Sequence, residues 1–270
     1  GLVGSEMCIR DRHIADTHLS LADECSSPEE QLLAERQTCY WQEQKRRFAA
    51  GFGELCEGVY DRPAVEQFEQ LLCLAEEMQV DALLAAGDVL DYTGGANLRY
   101  LKTAFAHCGV PVLWTRGNHE QSHSTTEEQA YATLMDGDTA FHVRDFDGLL
   151  IAAVDNSRKT IQPEQLARFS TLLEQGRPIL LLVHIPLRTA EFEPIVMKRH
   201  GNAFLMGTEE DSQEAKAFCR MALSADGPVV AVLAGHIHFA LEAPFAKGKI
   251  QATASSGLIG ACRRVVLCPA

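Results

Sequence analysis

Short apolar runs alternate along this chain with longer stretches whose apolar residues recur at helical spacing. Residues 81–87, 111–117, 178–184 and 228–235 read as buried strands, and 13–16 as the end of a first one. Residues 141–155 read as two strands joined by a tight turn at Asp147 and Gly148. Three further stretches, 239–245, 249–255 and 263–269, have β character. Helical spacing covers 63–80, where Pro63 starts the helix and Val65, Phe68, Leu71, Leu72 and Leu74 share a side. It recurs over 96–109, 124–137, 162–176 and 212–227, the first, third and fourth of these ending at Gly109, Gly176 and Gly227. Strands that alternate with helices predict a layered α/β fold.

Two segments fit this alternation poorly. From Ser26 to Phe52 the chain is polar and amphipathic, opening with an N-cap serine and early acids, but Leu32, Leu33, Tyr40, Trp41 and Phe48 fit one helical face only loosely. Gly51 and Gly53 then break it. Residues 188–210, with Pro194 and Gly201, read as irregular and as a flap near a site. Neither an internal repeat nor a linker divides the sequence, so one domain over 13–270 is expected, with a helical insertion at about 22–62.

Composition narrows the class. With 270 residues, 46% hydrophobic and 23% charged, the chain is long enough for one large core and has an ordinary globular make-up. No apolar run is long enough to span a bilayer, so no membrane association is expected. A net charge of -13 argues against a nucleic-acid groove, which needs clustered Lys and Arg. It does not exclude a phosphate substrate, because bound cations reverse the local sign. Nine cysteines without a CxxC pair suit a reducing compartment, so a cytoplasmic location is expected; the sequence leaves the oligomeric state open. Residues 1–12 have no periodicity, and back-translated they resemble the adapter and transposon end of a common sequencing-library method. They are read as translated adapter outside the fold, with the native start, and any export signal it carried, lost.

The chemistry lies at the ends of the apolar runs. Asp16 and His18 follow the first, Asp88 the second and Asn118 the third. His184 follows the next, and His236 and His238 close the set. Open α/β sheets put their ligands at such strand ends. Two carboxylates, four imidazoles and an amide oxygen suit manganese, iron or zinc better than calcium or magnesium. Seven ligands are too many for one tetrahedral site and about right for two metals sharing a carboxylate.

The order DxH, GDxxD, GNHE, H, GHxH resembles the calcineurin-like metallophosphoesterases over roughly residues 13–268, with no ligand replaced. That resemblance implies a four-layer α/β/β/α sandwich, two mixed sheets flanked by helices, holding a dinuclear centre. It places Asp16, His18, Asp88 and His238 on one metal, with Asp88 bridging to a second completed by Asn118, His184 and His236. His119 is implied to protonate the leaving oxygen or stabilise developing charge, with Asp91 as its orienting partner. The expected activity is hydrolysis of a phosphomonoester or phosphodiester of a small molecule, nucleotides included, by a metal-activated hydroxide. A DNA-repair-type nuclease, a protein phosphatase and a non-catalytic scaffold are the alternatives. The acidic charge weighs against the first. Tyr92, standing where protein phosphatases carry arginine, weighs against the second, and retention of His119 with every ligand against the third.

Other residues have plainer expected roles. His107, His123, His142 and His200 read as structural or surface histidines, and Glu120 as a structural hydrogen-bonding acid. Arg116 is either a phosphate contact or an ion-paired arginine. Tyr92 and Phe239 either line the pocket or pack beside it.

Overall fold

A computed structural model describes residues 9–49, 62–122, 124–134, 137–146, 148–200 and 204–267. Two sheets lie face to face. The first has strand order β10-β1-β2-β3, built from β1 (Ile9–Ile14), β2 (Ala82–Ala85), β3 (Val112–Trp114) and β10 (Arg263–Leu267). The second has order β4-β5-β6-β7-β9-β8, from β4 (Phe141–Phe146), β5 (Leu149–Val154), β6 (Ile179–Leu182), β7 (Val229–Ala234), β8 (Leu241–Ala246) and β9 (Lys249–Thr253). The inner strands of both sheets run parallel, while β10, β4 and β8 add antiparallel edges.

Alternation along each strand builds the layers. Ala82 and Leu84 of β2, Ile151 and Ala153 of β5 and Leu180 and Leu182 of β6 meet in the core between the sheets. Their neighbours face outward onto helices. Leu83 and Ala85 pack with Phe68, Leu71 and Leu72 of α2 (Ala64–Glu77) and Leu98 and Leu101 of α3 (Gly95–His107). Leu181 and Val183 pack with Phe169 of α5 (Pro163–Glu174) and Phe218 of α7 (Gln213–Ala222). The result is the expected α/β/β/α sandwich. Among the described residues no helix is long and apolar enough to cross a membrane.

Two expectations change. β1 begins at Ile9, inside the segment read as lying outside the fold, and its residues pair with β10 on one side and β2 on the other. Strand pairing is made by backbone groups, so partners on both sides recruit residues whose side chains give no strand signal. The 188–210 segment is not irregular throughout: α6 spans Phe192–His200, and Pro194 is tolerated because it lies in the first turn, where its missing N–H costs nothing. The polar insertion forms α1, Pro28–Ala49. Ser27 caps it in a reciprocal box, its hydroxyl accepting from Glu30 N at 3.2 Å while Glu30 Oε2 accepts from Ser27 N at 2.7 Å. Helix α4 (Thr125–Leu134) follows β3, as the pattern requires. The expected breakers Gly51 and Gly53, the Asp147 half of the β4–β5 turn and His123 lie outside the described residues.

Candidate metal centre

Every ligand loop leaves the C-terminal end of a strand in the parallel part of its sheet: β1 for Asp16 and His18, β2 for Asp88, β3 for Asn118, β6 for His184 and β7 for His236 and His238. The two sheets thereby aim five loops at one point. The loops are tied by backbone bonds: Asp16 N donates to Gly87 O (3.1 Å), His18 N to Asp88 O (3.0 Å) and Gly235 N to His184 O (3.0 Å).

Backbone conformation marks the same residues. Asp16 (φ 57°), His18 (45°), Asp88 (51°), His236 (70°) and His238 (57°) all sit in the left-handed region, which side-chain-bearing residues rarely adopt. Strain of this kind persists only where surrounding contacts over-determine it, and it gathers at functional sites. Gly117 has a different constraint: a Cβ there would lie 2.0 Å from Asp88 Oδ1, so only glycine lets the third loop close on the second.

Three overlapping groups of donors have their ligand atoms within 4.8 Å of one another: Asp16, His18 and His238; His18, Asp88 and His119; Asp88, His184 and His236. Asp88 is common to two of them. His18 Nε2 lies 3.2 Å from His238 Nε2, and His238 Nε2 lies 3.6 Å from Asp16 Oδ1. On the other side His184 Nε2 is 3.3 Å from Asp88 Oδ2 and 2.9 Å from Asn118 Oδ1. All seven sequence-predicted ligands are therefore brought together in one cluster of overlapping donor groups.

The electrostatics suit cations. Burial drives His236 down to about 3 and His238 well below its usual range, which leaves the neutral imidazole that ligates metal. Burial pushes the Asp16 carboxyl up to about 8. For Asp88 burial acts in the same direction, but His184, with its charge and hydrogen bond, and then His18 hold the carboxyl far below the ordinary range. Without a cation these groups are a costly set of buried charges, and carboxylate–imidazole donors at this spacing fit divalent metals.

Other side chains hold the donors in place. His184 Nδ1 is 2.7 Å from Ala86 O, which directs Nε2 into the centre. Asn156, fully buried, accepts from His184 N and Ile185 N (both 3.0 Å) and donates to Ile185 O (2.7 Å). Asp16 accepts from His236 N, and Ser256 Oγ donates to Asp16 O at 2.7 Å. Glu120 is fully buried and joins two loops, accepting from Leu90 N (2.9 Å) and Gly117 N (2.7 Å), in keeping with the structural role read for it.

His119 Nδ1 stands 2.8 Å from Asp91 Oδ1, and its side chain is 37% exposed at the lip of the cluster. The same carboxylate oxygen is 3.6 Å from His18 Nδ1, a link the sequence did not suggest. Burial disfavours protonation of His119, but the Asp91 hydrogen bond and the Asp88 and Asp91 charges outweigh it and raise its pKa.

The undecided residues also find places. Arg116 is nearly buried, pairs with Glu128 (2.9 and 3.0 Å) and lies 4.3 Å over the Tyr131 ring, so it is the ion-paired arginine. Tyr92 is mostly buried, its hydroxyl donating to Leu21 O at 3.2 Å, and Phe239 packs with Phe192 and Val196. His107 bonds within α3, to Thr103 O at 2.8 Å, and His142 lies on the edge strand β4. His200 lies closer to the centre than expected, its Nε2 3.2 Å from the carbonyl of Ile237, between the two β7 histidines.

The model of the calcineurin-like phosphoesterases matches residues 12–240. The chain belongs to that family. It is a dimetal phosphoester hydrolase by family and by its clustered donors. Solved structures share the fold: a dimetal phosphatase from Danio rerio (TM-score 0.56, 13% identity, covering 96% of this chain and 92% of that one). A purple acid phosphatase from yellow lupin, Lupinus luteus, is similar at TM-score 0.56 and 12% identity, over 98% of this chain and 46% of that one. No curated protein sequence matches this phosphoesterase significantly.

What the sequence missed entirely is Trp41. Its indole stacks on His18 with ring centroids 3.6 Å apart and planes 15° apart, and Phe48, also on α1, meets the His238 ring edge-on at 4.9 Å. Their spacing along α1 gave no sign of a distant imidazole.

Proposed function

We propose that this phosphoesterase hydrolyses a phosphomonoester or phosphodiester of a small molecule, with nucleotides among the candidates. Asp16, His18, Asp88 and His238 form one metal subsite, and Asp88, Asn118, His184 and His236 the other. Two bound cations supply positive charge for the phosphoryl oxygens and a water acidified for in-line attack. His119 is the general acid. With Nδ1 held against Asp91 at 2.8 Å, its other ring nitrogen carries the proton delivered to the leaving oxygen. Asp91 fixes the tautomer and orientation of that ring, and its hydrogen bond, with the charges of Asp88 and Asp91, raises the pKa of His119 above the ordinary imidazole value. Asn118 contributes an amide oxygen already aligned with His184.

The observation that carries this reading is the partly exposed His119, bonded to buried Asp91, set against two donor groups that share Asp88. The test is hydrolysis of bis-p-nitrophenyl phosphate and p-nitrophenyl phosphate, each with and without manganese. Manganese-dependent turnover that vanishes in Asp88→Asn supports it, and the preferred ester gives the bond type. Absence of bound metal and of turnover in the parent protein would overturn it.

A further inference from the structure

Helix α1 is long, polar and thinly attached. Of its described side chains only Ala34, Trp41 and Lys45 are buried. These lie along one seam with the half-buried Leu33, Gln37, Gln44 and Phe48, at spacings of three and four. A helix with so polar a surface is held by tertiary packing more than by intrinsic propensity. Trp41 is the largest apolar group on that seam, 5% exposed, and it rests on the centre itself. Its ring stacks on His18 and lies 5.6 Å from the His119 ring and 5.8 Å from the His238 ring, both edge-on.

We infer that Trp41 is a positioning residue and that α1 is a lid docked through it onto the metal-binding imidazoles. This rests on the proposed ligand set. The His18 ring is pinned from two directions: the indole fixes its plane, and Asp91 Oδ1 lies 3.6 Å from its Nδ1. A ring so held keeps Nε2 aimed at the first subsite although its backbone sits in the left-handed region. Through Asp91 the same side chain is coupled to His119, so a loose His18 ring disturbs the acid as well as the metal. The lid covers the His18 and His238 side.

Among the described residues the buried indole N–H has no hydrogen-bond partner. Trp41→Phe therefore keeps an aromatic face for His18 and removes an unsatisfied donor, so it folds at least as well. Trp41→Ala removes the face. The chain has two tryptophans, and Trp114 is buried against Tyr131 in the outer core, so emission lost in Trp41→Phe belongs to Trp41.

The test uses the full chain and manganese ion. Titration with manganese should quench emission in the parent and leave Trp41→Phe nearly unquenched, while calorimetry gives the two proteins the same manganese affinity within about threefold. Trp41→Ala should lose about 10- to 100-fold in manganese affinity at one of two sites, the range seen when a side chain supporting a ligand is removed. It should lose kcat more than KM, with Trp41→Phe rescuing both. Equal quenching in Trp41→Phe would place the indole off the centre and overturn the inference, as would unchanged affinity and kcat in a folded Trp41→Ala. A rise in kcat in Trp41→Ala would also overturn it, making α1 an obstruction rather than a support. If Trp41→Ala does not fold, the quenching and the Trp41→Phe affinity decide. Should the parent bind two manganese ions yet hydrolyse neither ester, the proposed function fails while quenching and affinity still judge the lid.

Discussion

The metal centre and the first strand both bury polar side chains, with opposite provision for them. In the centre, Asp16, Asp88 and Glu120 each accept backbone N–H groups from a neighbouring loop. His18 Nδ1 and Asp91 Oδ2 lack a partner, and the two residues face each other at 3.6 Å. In β1, Asp11 and His13 lie on the same face as Ile9 and Ala15, the face that looks into the apolar core between the sheets. Asp11 is 1% exposed and His13 fully buried, and among the described residues neither side chain has a partner within hydrogen-bond geometry. Buried polarity at the centre is organised as convergent cation donors, whereas in β1 it is tolerated because pairing with β10 and β2 is made by the backbone. Burial alone does not mark a site. What separates the two regions is convergence of donors, backbone strain and supporting bonds.

The largest effect should come from breaking the chemistry without touching the scaffold. His119→Ala removes a partly exposed ring whose side-chain hydrogen bond, among the described residues, is to Asp91. We expect kcat to fall by about 10²- to 10⁴-fold, the range for a general acid, with manganese stoichiometry and thermal midpoint nearly unchanged. A comparable loss of bound metal would mean that His119 serves as a ligand and would merge acid and cluster into one unit.

The ligands were legible because each is a short motif after an apolar run, and two sheets of parallel strands bring such loop ends together. The layers were legible for a related reason, since a continuous apolar run such as 179–183 must be buried on both faces. Left-handed φ at Asp16 or His238 leaves no mark when the residue is not glycine. The Trp41–His18 stack joins an insertion helix to a loop, a contact no local period encodes. The start of β1 was misread because Arg10, Asp11 and Arg12 carry charge where a strand pattern calls for apolar alternation, and α6 because Pro194 was read without its place in the first turn.

An intermediate effect should appear in β1 as a pH dependence. Burial raises Asp11 from its ordinary 3.8 to about 7 and lowers His13 from 6.5 to about 3. The raised acid favours folding in acid, an advantage lost as pH rises from about 4 towards 7. The depressed base favours folding at neutral pH, an advantage lost as pH falls below about 6.5. Between about pH 4 and 6.5 the folded pair holds one proton on Asp11, and the unfolded pair holds one on His13. Equal proton counts give no net slope from this pair. Asp11→Asn removes one half of the balance. Its stability relative to the parent should then fall by about 1 kcal/mol for each unit of acidification across that window. Urea unfolding at pH 4.5, 5.5 and 6.5 measures it. A constant difference between the two proteins would show that Asp11 titrates normally, and the contrast with the centre would collapse.

The smallest effect makes a satisfied group at the centre resemble the orphans of β1. Glu120 presents two acceptor oxygens to two N–H donors, Leu90 in the second ligand loop and Gly117 in the third. Glu120→Gln has the same shape but sets an amide N–H₂ against one of those donors, so one buried N–H loses its partner. The cost should be about 1–2 kcal/mol, read as a lower urea midpoint with an unchanged slope. Because Gly117 closes on Asp88 at a distance no Cβ would fit, the loosened loop should also weaken manganese binding severalfold. The two readouts separate fold from function. A drop in stability alone would leave Glu120 as a brace between loops that hold their own register. A drop in manganese affinity as well would show that this buried carboxylate sets the distance at which Asn118 meets His184.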